Sequence, residues 1–135
     1  MTVRQQARES IAALVISLAL TCLAACGNTN DGDPPVARIG ATPRAIPEGD
    51  TFQTPVTLDA SASADPIDDP SGARPLSFRW TIIGDEYRLQ DGALTDAKVT
   101  LTLVGDRPAT VQLTVTDEDG NSSTAQEQLQ LTVRP

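Results

Sequence analysis

From Pro35 onward the chain alternates apolar and polar residues in short runs, the two-residue period of strands buried on one face. Val36–Ile39 reads as a first strand. Val56 and Leu58 alternate with Thr57 and Asp59. The clearest run places Leu76, Phe78, Trp80 and Ile82 on one face and Ser77, Arg79 and Thr81 on the other. Three further runs follow, through Val99-Leu101-Leu103, Val111-Leu113-Val115 and Leu129-Leu131-Val133. The last register, carried backward, turns Glu127 inward, so a bulge or an edge position is expected there. Tyr87-Arg88-Leu89 forms a short candidate strand within the ambiguous stretch from Gly84 to Asp96.

Turn residues separate these runs: Pro47-Glu48-Gly49-Asp50, Asp91-Gly92, Gly105-Asp106-Arg107-Pro108 and Asp119-Gly120-Asn121. No segment after Cys26 carries a helical period. About seven short strands in roughly 100 residues, with one central tryptophan, predict an all-β, immunoglobulin-like antiparallel β-sandwich. Trp80 and Phe78 are the expected core anchors.

The N-terminus follows a different pattern. Arg4 and Arg8 precede Ile11–Leu20, whose only polar side chain is Ser17. That is a basic region followed by an apolar one, as in a secretory signal. The run is too short to span a bilayer, which takes about 20 apolar residues. Leu23-Ala24-Ala25-Cys26 then resembles the bacterial lipobox position by position. The resemblance implies cleavage before Cys26 and acyl chains on its sulfur, anchoring the protein in a lipid bilayer. Gly27, in place of aspartate, points to the outer membrane. The organisation read from the sequence is a signal over 1–25, a lipidated cysteine and tether over 26–35, and a sandwich over 36–135.

Composition narrows the chemistry. Cys22 leaves with the signal and Cys26 is blocked by lipid, so no disulfide staples the fold. Residues 26–135 hold eight basic and seventeen acidic side chains, a formal charge of −9. Such a surface repels nucleic acid and anionic headgroups. Histidine is absent and lysine occurs once, at Lys98, which removes the usual general bases and metal-ligating imidazoles. No pair of acids sits in a recognisable cleft, as glycoside hydrolysis would require. The expectation is a protein that is not an enzyme.

Several blocks also resemble the polycystic-kidney-disease (PKD) domain family, in the family's order. They are Pro35-Val36-Ala37-Arg38-Ile39, Leu58-Asp59-Ala60-Ser61-Ala62-Ser63-Ala64-Asp65-Pro66, Leu76-Ser77-Phe78-Arg79-Trp80 and Val111–Gly120. The chain departs from the family after the tryptophan. It reads Thr81-Ile82-Ile83-Gly84-Asp85 where the family carries an Asp-Phe-Gly-Asp-Gly type run. The resemblance implies a sandwich used in extracellular adhesion, spacing or ligand binding.

On that plan the start of the first strand and two of the loops share one end. This gathers Asp31, Asp33, Asp65, Asp68, Asp69, Asp117, Glu118 and Asp119. Calcium, which takes six to eight oxygens from flexible loops, is the candidate ion. Its candidate ligands are Asp65, Asp68 and Asp117, followed by Asp33 and Asp119. The plainer reading of the same residues, and the one preferred, is as solvated turn formers, since Asp-Pro and Asp-Gly pairs suit turns. Asp59 is expected to cap the turn after its strand by accepting backbone N–H groups.

The functional expectation is a lipid-anchored cell-envelope module that binds a protein or a cell-surface polymer. A structural spacer or assembly component of an envelope complex is one alternative. A calcium-responsive adhesion element is another.

Overall fold

The computed structural model describes residues 32–133. The signal over 1–25 and Cys26 lie outside the described residues. Eight strands form: β1 (Gly40–Thr42), β2 (Ala45–Pro47), β3 (Val56–Asp59), β4 (Ser77–Ile83), β5 (Tyr87–Asp91), β6 (Lys98–Leu103), β7 (Ala109–Thr116) and β8 (Ser122–Thr132). They make two four-stranded sheets, ordered β1-β3-β6-β5 and β2-β8-β7-β4. The described residues form an all-β sandwich.

The alternation in the sequence becomes the two faces of each sheet. Along β7 every second residue, from Ala109 to Val115, is buried. Leu58, Val99, Leu101 and Leu103 supply the core from one sheet, and Trp80, Val111, Leu113, Val115 and Leu129 from the other. Trp80 is the largest of these and only 2% exposed, although β4 is an edge strand. The connection between β5 and β6 closes over it. The Trp80 backbone N–H donates to the Leu94 carbonyl at 2.7 Å, and its Nε1–H donates to the Asp96 carbonyl at 2.9 Å. The one polar atom of the indole is thereby satisfied inside the core, as a buried tryptophan requires.

The architecture differs from expectation in several places. The first strand begins at Gly40, not Val36. Val36 makes an isolated bridge to Ala64, while the Ala37 and Arg38 N–H groups donate to the Ser123 and Ser63 hydroxyls. The segment is thus held by side-chain acceptors on two neighbours instead of by a ladder. Ala37 and Ile39 still pack against the core.

The chain then changes sheets at Thr42-Pro43-Arg44, where the Thr42–Pro43 peptide is cis. Proline has no N–H to extend a ladder. β1 therefore pairs with β3, and β2 begins anew beside β8, in parallel. Among the described residues eight strands stand where about seven were expected, and one pairing is parallel in an otherwise antiparallel sandwich.

Glu127 shows how an edge is protected. It stands opposite Val111 in unbroken register, so it faces inward without a bulge. β2 covers only Gln130 to Thr132 of β8, which leaves Glu127 at the open margin. There its carboxylate lies 3.6 Å from the Arg44 guanidinium. An inward charge on an exposed edge discourages pairing with another chain. The bulge falls instead in β5, where the register shifts between Leu89 and Asp91.

Phe78 is only half-buried, near the end of the same edge strand as Trp80. It packs on the margin of the core, and the central anchor is Trp80 alone. Replacing Trp80 with alanine is expected to cost about 3–5 kcal/mol, the range for large aromatic truncations in packed cores. Urea unfolding of the variant and the parent measures it. A loss below about 1 kcal/mol would show that the indole does not organise the core.

Candidate functional site

One end of the sandwich is built by the loop between β3 and β4, the turn between β7 and β8, and the approach to Val36. Asp65, Asp68 and Asp117 meet there, each offering a carboxylate oxygen within 4.8 Å of the others. They come from two separate connections, so their meeting depends on the sandwich.

Local chemistry aims each side chain. Asp65 opens a turn with Pro66 at its second position, where the proline ring presets φ. Its Oδ1 accepts the Asp68 N–H at 3.2 Å, and its carbonyl accepts the Asp69 N–H at 3.0 Å. Asp65 is 7% exposed. The Asp68 Oδ2 accepts the Asp33 N–H at 2.6 Å. The preceding residue, Gly32, has a φ of +100°, a conformation that L side chains rarely adopt. That backbone conformation favours glycine there.

Asp117 closes the hairpin. Its Oδ1 accepts the Asn121 N–H at 2.8 Å and its Oδ2 accepts the Asn121 Nδ2–H at 3.0 Å. Desolvation works against its charge. The Asn121 side chain and the N–H groups of Asn121, Asp119 and Gly120 outweigh it and hold the carboxyl below its usual range.

The other acidic residues do different work. Asp33 contributes its backbone N–H, and its carboxylate stands outside the cluster. Asp119 also stands outside and lies 3.6 Å from the Arg74 guanidinium. Asp69 turns to its own loop, accepting from the Arg74 N–H at 2.7 Å, the Ser71 hydroxyl at 2.9 Å and the Ala73 N–H at 3.2 Å. The Arg74 N–H is the main reason its carboxyl is held low, aided by Ser71, Ala73 and the Arg74 charge against a desolvation penalty. Asp59 accepts the Ser61 N–H at 2.8 Å and pairs with Lys98 at 3.3 Å. Ser61 is the larger cause of its lowered pKa, with Lys98 adding to it. Asp31 lies outside the described residues.

Three like charges at this spacing repel, and a hard divalent cation would relieve them through oxygen ligands. The triad could supply three of the six to eight oxygens that calcium takes, leaving the rest to carbonyls or water. Beside it lies a cavity of about 430 Å³, with Asp65 in its wall and Pro66, Pro70, Leu76, Phe78 and Arg74 around it. Sequence reasoning missed this cavity. It arises where the loop folds back along β4, and no motif marks that.

No family model matches the chain, and no curated protein matches it. Among solved structures it is similar to a nucleoside hydrolase-related hypothetical protein from Saccharophagus degradans that is associated with carbohydrate metabolism. The TM-score is 0.51 and the identity 19%, over 80% of this chain and 27% of that one. At that identity the likeness is one of fold. The chain matches only about a quarter of the length of that protein.

The lowered carboxyls predict a pH dependence. Asp59, Asp69 and Asp117 each bind a proton less readily in the folded chain than at their ordinary value of 3.8. The stability they contribute is fully present above that value and is lost as pH falls through their lower folded values. Asp69→Asn should therefore melt below the parent at pH 7, and the gap should narrow once pH falls below 3.8. Thermal melts across pH 2–7 test this, and a gap that stays constant throughout contradicts it.

Proposed function

We propose that this chain is a cell-envelope lipoprotein, anchored through acylated Cys26. It presents an immunoglobulin-like, PKD-like sandwich as a binding or adhesion module for a protein or a surface polymer. The observation that carries the reading is Leu23-Ala24-Ala25-Cys26 closing the apolar run Ile11–Leu20. The strand order supports the fold type. β1-β3-β6-β5 facing β2-β8-β7-β4 corresponds to the constant-type immunoglobulin arrangement, with the first strand split between the sheets. The Saccharophagus protein matches over only 27% of its length, which supports a sandwich used as a module. The protein carries out no catalysis in this reading.

Fractionation of cells carrying Cys26→Ser tests the anchor. The parent should sediment with the envelope, and the variant should be soluble or retain its leader. A variant that stays membrane-bound at mature length refutes the lipoprotein reading.

The triad favours a second reading in which calcium regulates adhesion at this end of the sandwich. The mature chain should then melt higher in calcium than in EDTA or magnesium, because an ion that binds only the folded state stabilises it by mass action. An identical midpoint in all three makes Asp65, Asp68 and Asp117 turn residues only.

A further inference from the structure

The cavity beside the acidic end joins an apolar lining to one nearly buried charge. Leu76 and Phe78, half-buried on the margin of the core, line it together with Pro66 and Pro70. Asp65 stands in its wall and is 7% exposed. The Asp65 Oδ1 accepts the Asp68 N–H, while its Oδ2 has no hydrogen-bond partner among the described residues. A carboxylate so nearly buried, with one oxygen open beside apolar surface, suits a ligand that brings both a positive charge and a hydrocarbon part. A bare cation would meet the oxygen and leave the apolar lining unused. We propose that this cavity receives a lysine side chain from a protein partner. The proposal gives the partner chemistry for the binding module described above and rests on that reading.

Charge and shape both favour this occupant. Asp65 belongs to the cavity and to the triad, so Asp68 and Asp117 add their charge within 4.8 Å. Among the described residues no lysine or arginine pairs with any of the three. Arg74, the cation in the lining, lies 3.6 Å from the Asp119 carboxylate. An ammonium carries three N–H donors in a tetrahedral arrangement. Oxygens that each accept one of them at about 2.8 Å lie about 4.6 Å apart, a separation that the triad's spacing admits. A guanidinium is a flat fork matched to both oxygens of one carboxylate, and in Asp65 one of the two already accepts the Asp68 N–H.

The methylene stem behind the ammonium lies along apolar surface, as lysine stems do at protein surfaces. At about 430 Å³ the cavity exceeds one side chain and leaves room for the flanking backbone of a partner loop. The excess of acidic over basic side chains in residues 26–135 draws basic partners toward the chain.

The test uses the full chain, purified from the envelope in detergent and kept in EDTA so that no divalent ion holds the triad. The probes are the peptide acetyl-Gly-Gly-Lys-Gly-Gly-amide and its norleucine counterpart, which keeps the hydrocarbon stem and lacks the ammonium. The lysine peptide should move the backbone amide resonances of residues 63–78 and 117–121, and the norleucine peptide should bind at least tenfold more weakly. Asp65→Asn keeps an oxygen for the Asp68 N–H and removes the charge, so it should weaken the lysine peptide at least tenfold. The contrast between the peptides does not depend on any variant folding. Equal binding of the two peptides, no response, or shifts confined to other parts of the sandwich overturns the inference.

Treatment of whole cells with a carbodiimide, which joins touching amines and carboxylates without a spacer, separates this inference from the reading beneath it. Mass spectrometry should find a partner's lysine joined to Asp65, Asp68 or Asp117. A protein joined to the sandwich only at other residues overturns the inference and leaves the module standing. A chain joined to no protein overturns the inference and the protein-binding reading together.

Discussion

The structure depends on covering Trp80. The residue lies on β4, at the edge of its sheet, yet it is only 2% exposed. It stays buried because the connection between β5 and β6 folds across the strand, and two carbonyls from that connection, Leu94 and Asp96, accept the backbone and indole N–H groups of Trp80. Leu94 packs against the core from the same segment. Burial of a large aromatic supplies much of the driving force in a small sandwich whose described residues hold no cysteine, but only if its polar atom finds a partner. The cover and the anchor therefore require each other.

At the acidic end, backbone satisfaction sets the geometry and electrostatics follow. Each carboxylate of the triad is aimed by N–H groups of its own connection or a neighbouring one: Asp65 by Asp68, Asp68 by Asp33, and Asp117 by Asn121. The sandwich then brings the two connections together and sums their charge. Asp69 and Asp119, though close in sequence to the triad, are drawn elsewhere by the loop that ends at Arg74. Nearness in sequence did not decide which acids meet.

Much of this was legible beforehand. The runs through β3, β4, β6, β7 and β8 were plain, because a half-buried strand must alternate. Asp59 as a turn cap was legible for a similar reason, since its partner Ser61 is local. The candidate site was legible as far as the sandwich plan places two connections at one end. The individual contacts of Asp33 and Asp119 were not, because hydrogen bonds across 35 residues, such as Asp33 to Asp68, leave no periodicity in the chain. The opening strand was misplaced because Val36–Ile39 has a strand's composition and no ladder to join. The cavity beside Phe78 left no trace in the sequence either.

By itself the sequence determined the class of the fold and the faces of its main strands, and it named Trp80, with Phe78, as a core anchor, of which only Trp80 is fully buried. These follow from local periodicity and from the rarity of large aromatics. Only the tertiary structure decided where the first strand changes sheets, that β2 runs parallel to β8, that Glu127 guards an open edge and that Asp33 and Asp119 stand apart from Asp65, Asp68 and Asp117. Each of these depends on which backbone groups find partners across the sandwich, and such pairings are settled only when the two sheets close on each other.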